Sequence, residues 1–389
     1  MLRSTDRILT THTGSLPRPS ELIPLLFAHE EGSSDQAVLD RATAEAVTWA
    51  VGQQVQAGID VLNDGEMGKM VYATYVKDRL NGFGGEGRMV GMGDLIDYPE
   101  YGERMFREMG AEEAMKRMAM PSCDGPVSPK PEQRRLVERD IANLQEAARG
   151  VSYRELFMTS ASPGVIALFL ENRYYPSREQ YLQAIADAMQ PEYEAIAQAD
   201  IVLQLDCPDL AMGRHIQFND LELEDFRRQA RMAVEALNYA TRNIDPDQMR
   251  LHLCWGNYEG PHHRDVALRD IIDLVFEARP NGISLEACNP RHAHEWQVFE
   301  EVKLPPGKVL IPGVIDSTNN YIEHPDLIAQ RLRNYVRLVG QENVMASSDC
   351  GFGTAAGASV VDPKITWAKF QAMAEGARLA SRSPALAAR

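Results

Sequence analysis

Eight short β-rich runs, each followed by a longer amphipathic stretch, constrain this chain more than any other feature. The runs are ILTTHTGSL at 8–16, IDVLNDGE at 59–66, LFMTSASPG at 156–164, DIVLQLDCP at 200–208, MRLHLCWG at 249–256, GISLEACN at 282–289, VLIPGVID at 309–316 and NVMASSDCG at 343–351. A ninth, weaker run is MPSCDGPV at 120–127. Helical patterns lie between them, as at 178–199 and 223–243. Such alternation predicts an α/β chain whose parallel strands close into a (β/α)8 TIM barrel. A doubly wound open sheet is the competing arrangement. No G-x-G-x-x-G or Walker loop follows any run, which counts against a nucleotide site.

The runs begin apolar and end in chemistry, at Ser15, Glu66, Asp206, Cys254, Glu286, Asp316 and Cys350. Barrel enzymes carry their active sites at the C-terminal ends of strands. One polar strand end needs no explanation, since every strand must exit somewhere. Seven in register do.

With 389 residues and 44% hydrophobic content, the chain can bury the core of one elaborated barrel. No repeat or linker marks a second domain, so residues 1–389 are expected to form a single unit. The segment 82–120 interrupts the alternation and is rich in glycine and methionine. It reads equally as a variable excursion with a short helix at 103–119 or as a lid over the barrel mouth. A formal charge of −16 disfavours nucleic acid as a partner. No run approaches the ~18 apolar residues that span a bilayer, and the N-terminus lacks the apolar core of a signal peptide. A cytoplasmic location is expected. The five cysteines are scattered and odd in number, which suits metal ligands or core residues better than disulfides.

In LHLCWGN, at 251–257, His252 and Cys254 sit two apart and so share one face of a strand. Alone, an H-x-C is weak, because buried cysteines mostly behave as small apolar residues. Glu286 ends the following strand and Cys350 ends the last. These four offer a nitrogen, sulfur and oxygen set suited to zinc, whereas magnesium and calcium take all-oxygen shells. Cys207 and Cys288 are rival thiols, and His262, His263, His292 and His294 lie in loops nearby.

These segments resemble the catalytic half of cobalamin-independent methionine synthase, in which H-x-C, a strand-end Glu and a D-C-G cysteine bind zinc in a (β/α)8 barrel. The likeness runs from HTGSLPRP through NDGEMGK and LQLDCPDLA to SSDCGFGT. It covers the C-terminal barrel only, about half of the two-barrel enzyme. The resemblance implies Zn2+ on His252, Cys254, Glu286 and Cys350, serving methionine biosynthesis. It also implies a homocysteine site, with Glu66 and Asp206 on the amine and the Gly14 and Ser15 backbone on the carboxylate.

The donor side departs from the family. No tryptophan stands in SPGVIALFLENRYY, where the family stacks its pteridine, although Phe169, Tyr174 and Tyr175 are there. Together with the absent second barrel, this weighs against methylfolate. The expected partners are therefore a small-molecule thiol and an alkyl donor left open. The oligomeric state is open too, a homo-oligomer included. Two other readings compete. One is addition of coenzyme M to an epoxide, with Arg18, Arg173 and Arg214 as cations for its sulfonate. The other is a non-enzymatic zinc-stabilised barrel.

Overall fold

A computed structural model of the protein describes residues 1–87, 91–108 and 120–382. Its strands are β1 (Leu9–Thr10), β2 (Val61–Leu62), β3 (Leu80–Glu86), β4 (Pro121–Pro129), β5 (Glu155–Ala161), β6 (Val202–Asp206), β7 (Met249–Leu253), β8 (Gly282–Leu285), β9 (Val309–Ile315) and β10 (Met345–Ser348). Eight of these form one parallel sheet in the order β1-β10-β9-β8-β7-β6-β5-β2. The two ends of that sheet meet where Asp60 N donates to Thr10 O (3.1 Å), just ahead of β2. The result is a nearly closed (β/α)8 barrel in which each strand lies beside its neighbour in the chain.

Local chemistry sets the helices. Helix Gln36–Ala57 starts at Asp35, whose side chain accepts from Ala37 N and Val38 N, and stops at Gly58 with φ 83°. Helix Arg178–Gln198 starts on the Ser177 hydroxyl. It matches the pattern read at 178–199, and helix Leu223–Ala240 matches most of 223–243.

Strand alternation divides the core in two. Most buried side chains lie in the large core cluster to which the helices contribute. A separate cluster of Leu9, Val61, Phe157, Val202, Val309, Ile311 and Met345 fills the barrel interior. Above it lies Arg250, fully buried, with its guanidinium 3.5 Å from the Phe157 ring centroid and hydrogen bonds to Gln204 Oε1, Thr11 Oγ1 and His12 O. Burial pushes this arginine down to about 9.

The ninth run does not join the barrel. It becomes β4, antiparallel to β3, a two-stranded excursion between β2 and β5. From the tip of this excursion, residues 93–97 form a 3-10 turn and Pro99–Glu108 a helix. The helix read at 103–119 overlaps the end of that span, at 103–108, and its remainder lies outside the described residues. Asp94 ties the excursion to the loop after β7, accepting from Tyr258 Oη (2.6 Å) and His262 N (2.9 Å). Among the described residues, no helix is long and apolar enough to cross a membrane.

Candidate active site

The strand ends converge on one pocket at the barrel mouth. It is lined by Ser15, Glu66, Asp206, His252, Cys254 and Cys350, together with an apolar wall of Tyr72, Met92, Phe169, Pro208 and Met212. These polar residues come from the ends of β1, β2, β6, β7 and β10, the places where barrel strands present chemistry.

His252, Cys254 and Cys350 are all buried, and their ligand atoms lie within 4.8 Å of one another. The two sulfurs are 3.7 Å apart. His252 Nδ1 pairs with Ser284 Oγ at 3.3 Å, while Nε2 is buried without a hydrogen-bond partner among the described residues. Burial, followed by nearby Arg250, lowers His252 to about 3, which favours the neutral ring that a metal ligand requires. The bond to Cys350, with burial, pushes the Cys254 thiol up. A neutral imidazole and two close thiols, one nitrogen unsatisfied, make a donor set that fits zinc.

Glu286 stands beside this triad, outside it. Its oxygens accept from Trp255 N (2.7 Å) and Asn289 Nδ2 (2.8 Å), and burial holds its carboxyl well above the usual range. The rival thiols are elsewhere. Cys207 Sγ donates to Leu205 O, and Cys288 lies in the loop after β8. The loop histidines are also engaged. His262 and His292 both contact Asp265 Oδ2 at 2.9 Å, and His263 bonds Asp97. Burial opposes the charge on His292, but the hydrogen bonds it donates to Asp265 and Glu295 outweigh it and push that residue up to about 10.

On the opposite side, Glu66 Oε1 accepts from Thr159 Oγ1 (2.7 Å), while Oε2 is buried without a partner. Asp206 Oδ1 accepts from Gln204 Nε2 (2.8 Å). Neither carboxylate makes an ion pair among the described residues. Lys69 turns its ammonium to Thr159 O and Oγ1, and Arg214 binds the Phe218 and Asn219 carbonyls. Burial, then the charge of Glu66, pushes Asp206 up to about 8. A buried Glu66 oxygen without a partner among the described residues, beside an Asp206 carboxyl whose ionisation is opposed by burial and by Glu66, makes a site that an added cation would stabilise. Glu66 also holds φ 57°, a conformation costly for a residue with a β-carbon and concentrated at functional sites.

The first turn is more committed than the sequence implied. Gly14 N already donates to His12 Nδ1 (3.2 Å). The arginines expected for a sulfonate do not reach the pocket either. Arg18 is spent on the Gly353, Glu66 and Lys69 carbonyls, and Arg173 pairs with Glu171. Of the aromatic residues proposed near the donor, Phe169 lines the pocket, Tyr174 is exposed, and Tyr175 receives Val127 N on its hydroxyl.

Sequence reasoning missed three contributors. Asp349, beside Cys350, accepts from the backbone N–H groups of Ala287, Cys288 and Asn289 at 2.8–2.9 Å. It thereby locks the Cys350 loop onto the loop of Glu286. Tyr72 and Met92 reach the pocket from loops, where no periodicity announces them.

The fold and site define a barrel with a histidine and two cysteines at its mouth, a cluster that could hold a metal ion. The family model described as the catalytic domain of cobalamin-independent synthase matches residues 168–374, more than half of the chain, and the protein belongs to that family. The methionine synthase of Sulfolobus acidocaldarius is 26% identical over 345 residues, covering 88% of this chain and 85% of its own. That of Saccharolobus solfataricus is 24% identical over 374 residues, covering 95% and 94%. A B12-independent methionine synthase from Shewanella sp. W3-18-1, solved with selenomethionine, shares the fold with a TM-score of 0.72 at 19% identity, covering 96% of this chain and 97% of that one.

Proposed function

We propose that this protein is a zinc-dependent thiol methyltransferase that joins the sulfur of homocysteine to an alkyl carbon, giving methionine or a related thioether. One observation carries the reading. Among the described residues, His252 Nε2 has no partner and shares a pocket with the paired thiols and with two carboxyl groups, Glu66 and Asp206, that make no ion pair. A ligand with a thiol at one end and an ammonium at the other answers both needs.

His252, Cys254 and Cys350 would hold the zinc, with Glu286 as the fourth ligand. When bound, zinc supplies a Lewis acid that keeps a thiol deprotonated near neutral pH. The chain does the rest. Glu66 Oε2 and Asp206 receive the substrate ammonium, and Ser15, with the Gly14 turn, faces its carboxylate. Tyr72, Phe169, Met92 and Met212 cover the sulfur and keep water from it. The excursion at 82–120 serves as a lid, since Met92 forms part of the wall and Asp94 pins the segment down.

Archaeal relatives named methionine synthase match this chain nearly end to end, which supports homocysteine as acceptor for a barrel of this size. The engagement of Arg18, Arg173 and Arg214 elsewhere weighs against coenzyme M. The test is S-alkylation by the zinc-loaded protein, with homocysteine and coenzyme M each offered to several alkyl donors. Thioether formation from homocysteine supports the reading. Exclusive use of coenzyme M, or none from either thiol, contradicts it.

A further inference from the structure

We infer that the Tyr72 hydroxyl is the hydrogen-bond donor to the leaving atom of the alkyl donor. The inference rests on the alkyltransferase reading above and adds a residue to it.

Alkyl transfer forms a sulfur–carbon bond and breaks the bond from that carbon to the leaving atom, which keeps the electron pair. Where that atom is nitrogen or oxygen, it gains negative charge in the transition state, and a placed donor stabilises it. The pocket therefore needs an uncommitted N–H or O–H near the thiols. Most lining groups cannot serve. Thr13 Oγ1 donates to Ser348 O, Asn257 is tied to Gly351 O and Ser317 Oγ, and the reading above gives Ser15, Glu66 and Asp206 to the acceptor, which leaves the hydroxyls of Thr354 and Tyr72. Phe169, Met92, Met212 and Pro208 offer no donor.

Tyr72 lines the pocket beside Phe169, and its phenol makes no hydrogen bond among the described residues. A phenol is a hydrogen-bond donor throughout the neutral range, and Tyr72 shares the pocket with Cys254, Cys350, Asp206 and Glu66. Its position is fixed rather than incidental. Tyr72 N donates to Thr354 O (3.3 Å), and Val71 bridges Ala355, which joins this loop to the segment that follows Cys350. The ring meets Phe169 edge-on, with centroids 6.0 Å apart.

The test compares wild type with Tyr72→Phe, both zinc-loaded with homocysteine, on two small electrophiles. Iodomethane releases iodide, which needs no donor. Epoxypropane releases an alkoxide, which takes the hydrogen bond and finally a proton from water. The variant should lose about 100-fold with the epoxide and change little with iodomethane, and its zinc content and calorimetric homocysteine affinity should match wild type. Equal rates on both electrophiles, equal losses on both, lost zinc or homocysteine binding, or a wild type that uses iodomethane alone would overturn the inference while the transferase reading stands. A wild type that alkylates homocysteine with neither electrophile overturns both.

Discussion

Glu66 Oε1 occupies space that a side chain on residue 14 would need. An ideal β-carbon at Gly14 would stand 2.9 Å from that oxygen and 2.5 Å from Thr159 Cγ2, and Gly14 itself holds φ 139°. The glycine thus lets the β1 turn close onto the carboxylate. Gly14→Ala must shift Glu66 or the turn, at a cost of about 1–3 kcal/mol. Thermal unfolding should show that loss, and calorimetry should show homocysteine binding weakened at least tenfold. Unchanged homocysteine affinity would separate Gly14 from the acceptor site.

Replacing either thiol of the close pair should empty the metal site. Cys254→Ser and Cys350→Ser are expected to lose most of their zinc by elemental analysis, and all activity with it. Cys123→Ser and Cys207→Ser should retain one zinc per chain, because both residues lie outside the triad. Full zinc in both of the first two variants would remove the proposed site.

Asp206 gives a prediction in pH. Its carboxyl is pushed up from 3.8 to about 8, so the folded, ligand-free protein holds this proton more tightly than the unfolded chain. The stability it contributes is fully present below about pH 4 and is lost as pH rises through about 8. Asp206→Asn escapes that loss. Its stability relative to wild type should therefore rise between pH 5 and pH 9, by up to about 4 kcal/mol in denaturant titrations. The same variant should bind homocysteine roughly ten- to a hundredfold more weakly, the worth of a charge-assisted hydrogen bond, and keep its zinc. A flat stability difference together with intact affinity would rule out the ammonium role.

Methyltetrahydrofolate should be a poor donor. Phe169 is the aromatic residue of its segment that reaches the pocket, where it makes a T-shaped pair with Tyr72, and no tryptophan stands in that segment. A lost aromatic stack costs ~0.5–1.5 kcal/mol, and misplacement of the methyl can cost ~10²-fold. A methylated corrinoid or an epoxide should alkylate homocysteine faster. Methylfolate turnover on the order of 1 s⁻¹ or faster would contradict this.

Much of this architecture is legible in the chain because barrels repeat. Each run needed only an apolar start and a polar end, and all eight became barrel strands. His252 and Cys254 share a face because strand periodicity is two. Cys350 and Glu66 were both found as strand ends, and the resemblance added a role for Glu66, yet neither route revealed how Asp349 or Gly14 holds its neighbour. The ninth run failed as a barrel strand because alternation alone does not name a partner. The glycine-rich strand β3, beside which it folds back, carries little signal of its own. Tyr72 and Met92 were invisible because loop positions follow no period. The engagement of Arg18 with three carbonyls was invisible too, since nearness to a strand end says nothing about where a long side chain is spent.

The central claim is that this pocket holds zinc and brings a substrate thiol to it. Zinc-edge X-ray absorption on the zinc-loaded wild type, before and after homocysteine, tests it most directly. The account predicts two sulfur ligands in the free protein, from Cys254 and Cys350, rising to three when homocysteine is added. A sulfur count that stays at two with homocysteine bound, or zinc bound with no sulfur ligand at all, would contradict it.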